Sequence, residues 1–195
     1  MGSLKGKRAL VTGGGQGLGE AITRELIRQG CDVAIHYFTS KDGAEALVKE
    51  AQAAGQRAAA FQADLTKEDE AVKMVDDAAA FLGGLDVLIN NTGDLVKRVW
   101  LQDITSEFWD KVMSVNLKSM MIVTRTAVPY LAKNTGGSSI VNLASLAGRK
   151  GGHAGSLVYG TSKGAVITWT RALSGELADR KIRVNCVAPG LMLGT

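Results

Sequence analysis

Short apolar runs alternate with longer amphipathic stretches along nearly the whole chain, and this restricts the fold more than any other feature of the sequence. Arg8-Ala9-Leu10-Val11-Thr12 reads as a first strand, followed by helical sequence from Gly17 to about Gln29 that Gly30 stops. Asp32 to Tyr37 reads as a second strand, Lys41 to Ala54 as a helix ended by Gly55, and Arg57 to Gln62 as a third strand. Thr66 is expected as an N-cap, with Glu68, Asp69 and Glu70 in the first turn of a helix running to about Leu82. Asp86 to Asn90 is a fourth strand, Ser106 to Lys133 a long helix and Ser139 to Leu143 a fifth strand. A further helix covers Leu157 to Leu177, and Ile182 to Val187 is a sixth strand. Strands separated by helices are parallel and joined by right-handed crossovers. These strands are near-continuous apolar runs, as strands covered on both faces must be. The expected fold class is therefore α/β: a doubly wound parallel sheet with helices on both faces, in three layers.

A chain of 195 residues can bury a sizeable core, and no linker or second domain interrupts it, so residues 1–195 are expected to form one domain. The net charge of +4 is mild and no basic block stands out, which gives no support to a nucleic-acid or membrane-surface partner. Cys31 and Cys186 lack metal-ligand spacing and are expected as reduced thiols. The histidines, His36 and His153, have no partner pattern either, so no metal is expected. No apolar run reaches the ~18 residues of a membrane span, and Met1 to Gly6 lacks a signal core. A cytoplasmic location is the default expectation.

Between the first strand and the first helix lies Thr12-Gly13-Gly14-Gly15-Gln16-Gly17-Leu18-Gly19. Backbone N–H groups at a helix N-terminus point outward and carry partial positive charge, and glycines let a phosphate approach closely. A P-loop is disfavoured, because Glu20-Ala21 stands where Lys-Ser/Thr belongs. G-x-G-x-x-G also fails: a start at Gly15 puts Glu20 in the last position and a start at Gly13 puts Leu18 there. The spacing that fits is T-G-x-x-x-G-x-G, met by Thr12, Gly13, Gly17 and Gly19. A glycine-rich turn alone is weak support for a ligand.

Other motifs follow in order: Asp64-Leu65 after the third strand, Asn90-Asn91-Thr92-Gly93 after the fourth, Asn116 in the long helix, Ser145 after the fifth strand, Tyr159-x-x-x-Lys163, and Pro189-Gly190 after the sixth. With the glycine turn, this set resembles the short-chain dehydrogenase/reductase family from Lys7 to Gly190, in its 3-oxoacyl carrier-protein reductase and glucose dehydrogenase-like branch. The resemblance implies a Rossmann-type NAD(P)-binding domain and an oxidoreductase moving a hydride between nicotinamide and a carbonyl or secondary alcohol. It implies Tyr159 as general acid/base, with Lys163 four residues on, on the same helix face, favouring the tyrosinate and holding the nicotinamide ribose. By the same resemblance Ser145 binds the substrate oxygen, and Asn116 holds a water linking Lys163 to solvent. Cofactor contacts are expected from Thr12, Gly13, Gly15, Gln16, Gly17, Leu18, Gly19, Tyr37, Asp64, Leu65, Asn91, Thr92, Gly93, Tyr159, Lys163, Pro189, Gly190 and Met192. Taken singly, Y-x-x-x-K is an ordinary helix surface and a serine after a strand an ordinary turn residue; their conjunction makes a site.

An acid at the end of the second strand binds adenosine ribose hydroxyls and repels a 2′-phosphate. Tyr37 stands there, followed by Phe38, Thr39, Ser40 and Lys41, which favours NADP over NAD. Gln16 stands where NADP users often carry Arg or Lys, so NAD stays open. Three departures from the family pattern stand out: Thr92 in place of Ala, one extra residue between Ser145 and Tyr159, and Met192 with no Thr in the contact segment Leu191 to Thr195. The family also implies homodimers or homotetramers built on the helices of Asn116 and Tyr159. It implies a substrate lid, a further helix and a last strand beyond residue 195. A catalytically silent dinucleotide-binding regulatory relative is the alternative, disfavoured by the intact Asn116, Ser145, Tyr159 and Lys163.

Overall fold

The computed structural model describes residues 4–192 and holds a single parallel sheet of six strands in the order β3-β2-β1-β4-β5-β6. The strands are β1 (Arg8–Val11), β2 (Asp32–Tyr37), β3 (Ala58–Gln62), β4 (Val87–Asn90), β5 (Ser138–Leu143) and β6 (Ile182–Val187). Helices α1 (Gly17–Arg28), α2 (Lys41–Ala53), α3 (Glu68–Leu82), α4 (Ser106–Met113), α5 (Ser119–Leu131), α6 (Leu146–Lys150) and α7 (Leu157–Glu176) connect them. The order reverses between β1 and β4. That switch point opens a crevice beyond the carboxyl ends of the strands, where ligands bind in such sheets.

Successive strand residues point to opposite faces, so each strand feeds two cores. Leu10, Ala34, Leu88 and Ile140 pack with the α3 and α5 side chains Val75, Leu82, Ile122 and Leu131. Ala9, Val11, Val33, Ile35 and Ile89 pack on the other face with Leu26, Ile27, Ala44 and Leu47 of α1 and α2. A buried polar line crosses the sheet near its carboxyl end. Asn90 Nδ2 donates to Thr124 Oγ1 and to Asn142 Oδ1, both at 2.9 Å, and Asn142 Nδ2 donates to Thr170 Oγ1 at 3.0 Å. These bonds fix α5 and α7 against β4 and β5, next to the crevice.

Three local expectations are corrected. Thr66 is not the N-cap of α3; Lys67 is, and Thr66 gives its N–H and hydroxyl to Asp64 Oδ1 at 3.0 and 2.7 Å. The side chain of Asp64 thus offers the backbone a local turn in place of an extra helical turn. The long helix is two helices joined by a π-helical segment, Ser114–Lys118, which carries Asn116. A short helix, α6, starts directly after Ser145, where the sequence reading places no helix. Trp100 and Trp109, which flank the start of α4, are exposed in the single chain, at 58% and 39%.

Candidate active site

A cavity of about 770 Å³ lies over the switch point. Its walls are Gly13 and Gln16 to Gly19, His36 and Phe38 to Ser40 after β2, Asn91 to Asp94 after β4, Val115, Leu143 to Ser145 after β5, Tyr159 and Lys163 of α7, and Pro189, Gly190 and Met192. An adjoining cavity of about 390 Å³ is lined by Ala63 to Thr66, Lys111 and Ser114, and shares His36, Phe38, Thr92 and Asp94 with the first. Motifs spread over 180 residues therefore meet at one crevice.

The glycine turn is held by side chains bonded to main chain. Thr12 is buried and does not reach the cavity; its hydroxyl accepts the N–H groups of Asn91 and Thr92 at 3.0 and 3.1 Å. Asn91 Nδ2 donates to the carbonyls of Thr12 and Gly13, both at 3.0 Å. Gly13 has φ +61 and Gly17 φ +54, a region side chains seldom enter. A side chain on Gly19 would run into the Gly13 carbonyl, so the turn closes only on glycine. Gly15 is a packing residue: a Cβ there would fall 2.7 Å from the Ser40 carbonyl, at the start of α2.

Tyr37, expected to contact the adenosine, is instead buried among Val33, Ile35 and Leu47. It has the parity of Val33 and Ile35 in β2 and must face the same side. The cavity wall there comes from His36, Phe38, Thr39 and Ser40. Asp64 and Leu65 line the smaller cavity. Leu193, Gly194 and Thr195, the end of the proposed contact segment, lie outside the described residues.

Tyr159 is half-buried and lines the same cavity as Ser145 and Lys163. Lys163 is 3% exposed, with Nζ 5.8 Å from the Tyr159 ring centre. Its ammonium donates to the Leu143 carbonyl at 2.9 Å. Burial in place of a countercharge pulls its pKa down from 10.5 to about 8. A Cβ on Gly93 would fall 2.7 Å from both Lys163 Nζ and Asn116 Oδ1, so this turn needs a glycine to let the amine reach its place. Ser145 N-caps α6: its Oγ accepts the Ala147 N–H at 3.1 Å. That bond occupies a lone pair and leaves the hydroxyl proton for a ligand oxygen. Gly148 of α6 lies against the backbone of Lys163 and Gly164, which locks Ser145 to the lysine's helix.

Asn116 is buried and does not line the cavity. Its amide donates to the carbonyls of Asp94 and Val112 at 2.7 and 3.0 Å, and its Oδ1 accepts the Asp94 N–H at 3.1 Å. It staples the turn after β4 to the π-helical segment, a feature that often marks functional positions.

His36 is among the residues at the site that were not assigned from sequence. His36 accepts the Gly13 N–H on Nδ1 at 3.0 Å, and its Nε2 donates to the Ala63 carbonyl at 3.1 Å. These partners set the neutral tautomer, since a carbonyl can only accept. Burial holds its pKa down to about 4. The signal was available: a histidine in an otherwise apolar buried strand needs partners.

The family model for short chain dehydrogenases matches residues 7–195. A 3-oxoacyl-[acyl-carrier-protein] reductase of Staphylococcus epidermidis is 38% identical over 187 residues, covering 96% of this chain and 75% of that protein. A solved short chain dehydrogenase from Burkholderia cenocepacia, in complex with NADP, superposes with TM-score 0.91 at 39% identity over 97% of this chain and 76% of that one. An NADH-dependent reductase complexed with NAD superposes with TM-score 0.92 at 36% identity, covering 97% of this chain and 80% of that one. The chain belongs to the short chain dehydrogenase family and is an oxidoreductase. Among the described residues no helix is long and apolar enough to cross a membrane, and no group of three or more His, Cys, Asp and Glu could hold a metal.

Proposed function

We propose that this chain binds a nicotinamide dinucleotide along the crevice and interconverts a carbonyl and a secondary alcohol on a small molecule. The observation that carries the reading is one cavity lined at once by the glycine turn, Ser145, Tyr159 and Lys163. The turn offers outward N–H groups at the start of α1 for a pyrophosphate, and its glycines leave room for close approach. When bound, the nicotinamide supplies or takes the hydride.

Ser145 donates its hydroxyl proton to the substrate oxygen and steadies charge developing there. Tyr159 gives that oxygen a proton in reduction and takes it back in oxidation. Lys163, a cation in a nearly dry site, favours the tyrosinate and holds a ribose hydroxyl. Asn116 positions the π-helical segment and the turn after β4, and serves the proton path from Lys163 outward. NADP is favoured over NAD, because Phe38, Thr39 and Ser40 place no carboxylate on the wall after β2. Asp64 and Leu65 receive the adenine in the smaller cavity. The working form is a homodimer or homotetramer joined through the helices of Asn116 and Tyr159.

The test is a panel of 3-oxoacyl, sugar and aryl ketones with NADPH and NADH, followed at 340 nm. Turnover of at least one is expected, with kcat/KM at least tenfold higher for NADPH. Tyr159→Phe is expected to lower turnover by ~10²-fold or more while the dinucleotide still binds. Undiminished turnover in that variant would remove Tyr159 from the role, and equal use of both dinucleotides would remove the NADP preference.

A further inference from the structure

His36 is a buried titratable side chain at the site that the proposed chemistry does not use. The first two N–H groups of the glycine run both end on it: Gly13 N–H on Nδ1 at 3.0 Å, and Gly14 N–H on its carbonyl oxygen at 2.9 Å. On the far side of the ring Nε2 reaches the Ala63 carbonyl at 3.1 Å, so the ring bridges the turn after β1 to the end of β3. The Gly13 carbonyl is held in turn by Asn91 Nδ2 at 3.0 Å. His36 is 1% exposed, yet it forms part of the wall of both cavities. A turn this rich in glycine loses more backbone freedom on ordering than any other sequence would. If it is ordered before the ligand arrives, that cost is not taken from the affinity.

We propose that His36 is a positioning residue for dinucleotide binding: its neutral ring, through Nδ1, fixes the Gly13 N–H and pre-forms the turn that receives the pyrophosphate. The proposal rests on the dinucleotide reading above. It assigns the N–H of Gly13 to the protein itself and leaves those of Gln16, Gly17 and Leu18 to the ligand. An imidazolium could not serve, because two N–H donors would then face each other.

Asparagine and glutamine separate the two ends of the ring. In His36→Asn the side-chain oxygen stands near the place of Nδ1 and does not reach Ala63. In His36→Gln the amide stands near the place of Nε2 and leaves Gly13 without an acceptor. The experiment measures NADPH and NADH dissociation constants by fluorescence titration for the wild type and both variants, with the Tm of each free protein. The Asn variant is expected to bind within about threefold of the wild type and the Gln variant about tenfold more weakly, at similar Tm. Equal affinities in the two variants, or tighter binding by Gln than by Asn, overturn the proposal. A wild type that binds neither dinucleotide overturns the underlying reading and this inference with it. Should either variant not fold, amide exchange of the free wild type decides: the Gly13 N–H is expected to be protected, and exchange at the rate of an open loop overturns the proposal.

Discussion

Replacing Lys163 with methionine should make the free protein more stable and the enzyme nearly inactive. The ammonium is 3% exposed and donates to the Leu143 carbonyl, with no ion pair among the described residues. Its pKa, lowered from 10.5 to about 8, corresponds to a penalty of about 3 kcal/mol for holding the charge in the folded state. Met keeps the length and apolar stem but leaves the Leu143 carbonyl unbonded, which costs about 1–2 kcal/mol. The net gain at pH 7 is about 1–2 kcal/mol, or roughly 3–6 °C in Tm for a chain of this size. The pH dependence follows with a definite sign. Below pH 8 both folded and unfolded chains carry the proton, so the full penalty is present. Between pH 8 and 10.5 the unfolded chain holds more protons, so the wild type gains stability as pH rises. The Tm gap between Lys163→Met and wild type should therefore be constant below pH 8 and shrink towards pH 10.5. Thermal melts of both proteins from pH 6 to 10.5, with turnover at pH 7, measure it. A variant less stable at pH 7, or a gap that ignores pH, would refute the claim that the lysine is held at a cost to the fold.

Gly148→Ala would put a Cβ 2.5 Å from the Lys163 carbonyl carbon and 2.6 Å from the Gly164 nitrogen. Overpacking of that kind costs about 1–3 kcal/mol, and turnover should fall with Tm; Gly175→Ala, in helix α7, which meets nothing within 4 Å, should be neutral or raise Tm slightly. Ser145→Ala removes both a cap and the proposed substrate donor, so Tm should fall by a few degrees for ~1 kcal/mol while kcat falls ~10²–10³-fold; a loss confined to Tm would leave Ser145 only a cap. Burial raises the Cys31 thiol from 9.0 to about 11, so the folded chain keeps a proton the unfolded chain loses. Wild-type stability should accordingly drop between pH 9 and 11 on that account, and Cys31→Ala should flatten this fall in melts over that range. Thr92→Val removes a buried hydroxyl with no hydrogen-bond partner and should raise the Tm of the free protein; a lower Tm would mean that the hydroxyl is satisfied in solution.

The sheet was legible because near-continuous apolar runs, separated by helical stretches, survive any change of loop. All six strands lie within a residue or so of their expected limits, and the parallel pairing expected from right-handed crossovers holds throughout the sheet. The glycine turn, Ser145, Tyr159 and Lys163 were legible as motifs because each needs a particular residue type at a fixed spacing. What was missed has physical causes. Helix α6 has five residues, too few to show a helical period. The π-helical segment adds one residue to a turn without changing which side chains are apolar. Thr66 looked like a cap because the competing acceptor, Asp64, is equally local. Tyr37 could have been placed correctly, since residues two apart in a strand share a face and Val33 and Ile35 are core.

The partners of His36 were invisible for a different reason, and that reason extends to the whole site. Its two ring partners are backbone groups 23 and 27 residues away, and backbone partners leave no sequence motif. Three other site side chains are held in the same manner: Lys163 by the Leu143 carbonyl, Ser145 by the Ala147 N–H, Asn116 by both backbone groups of Asp94. In each case at least one polar atom is fixed to main chain at the carboxyl end of a strand or just beyond it. For Ser145 and Lys163, two of the side chains assigned chemistry, the remaining hydrogen-bonding capacity is then available to a ligand. Side-chain partners would have to change together with the residue they hold, whereas a strand end supplies its N–H or C=O whatever its sequence. The rigidity of the parallel sheet is thereby passed directly to the reacting groups. It follows that changes which shift a strand end or helix backbone, such as Gly148→Ala or a side chain at Gly93, should damage the site as severely as loss of a site residue.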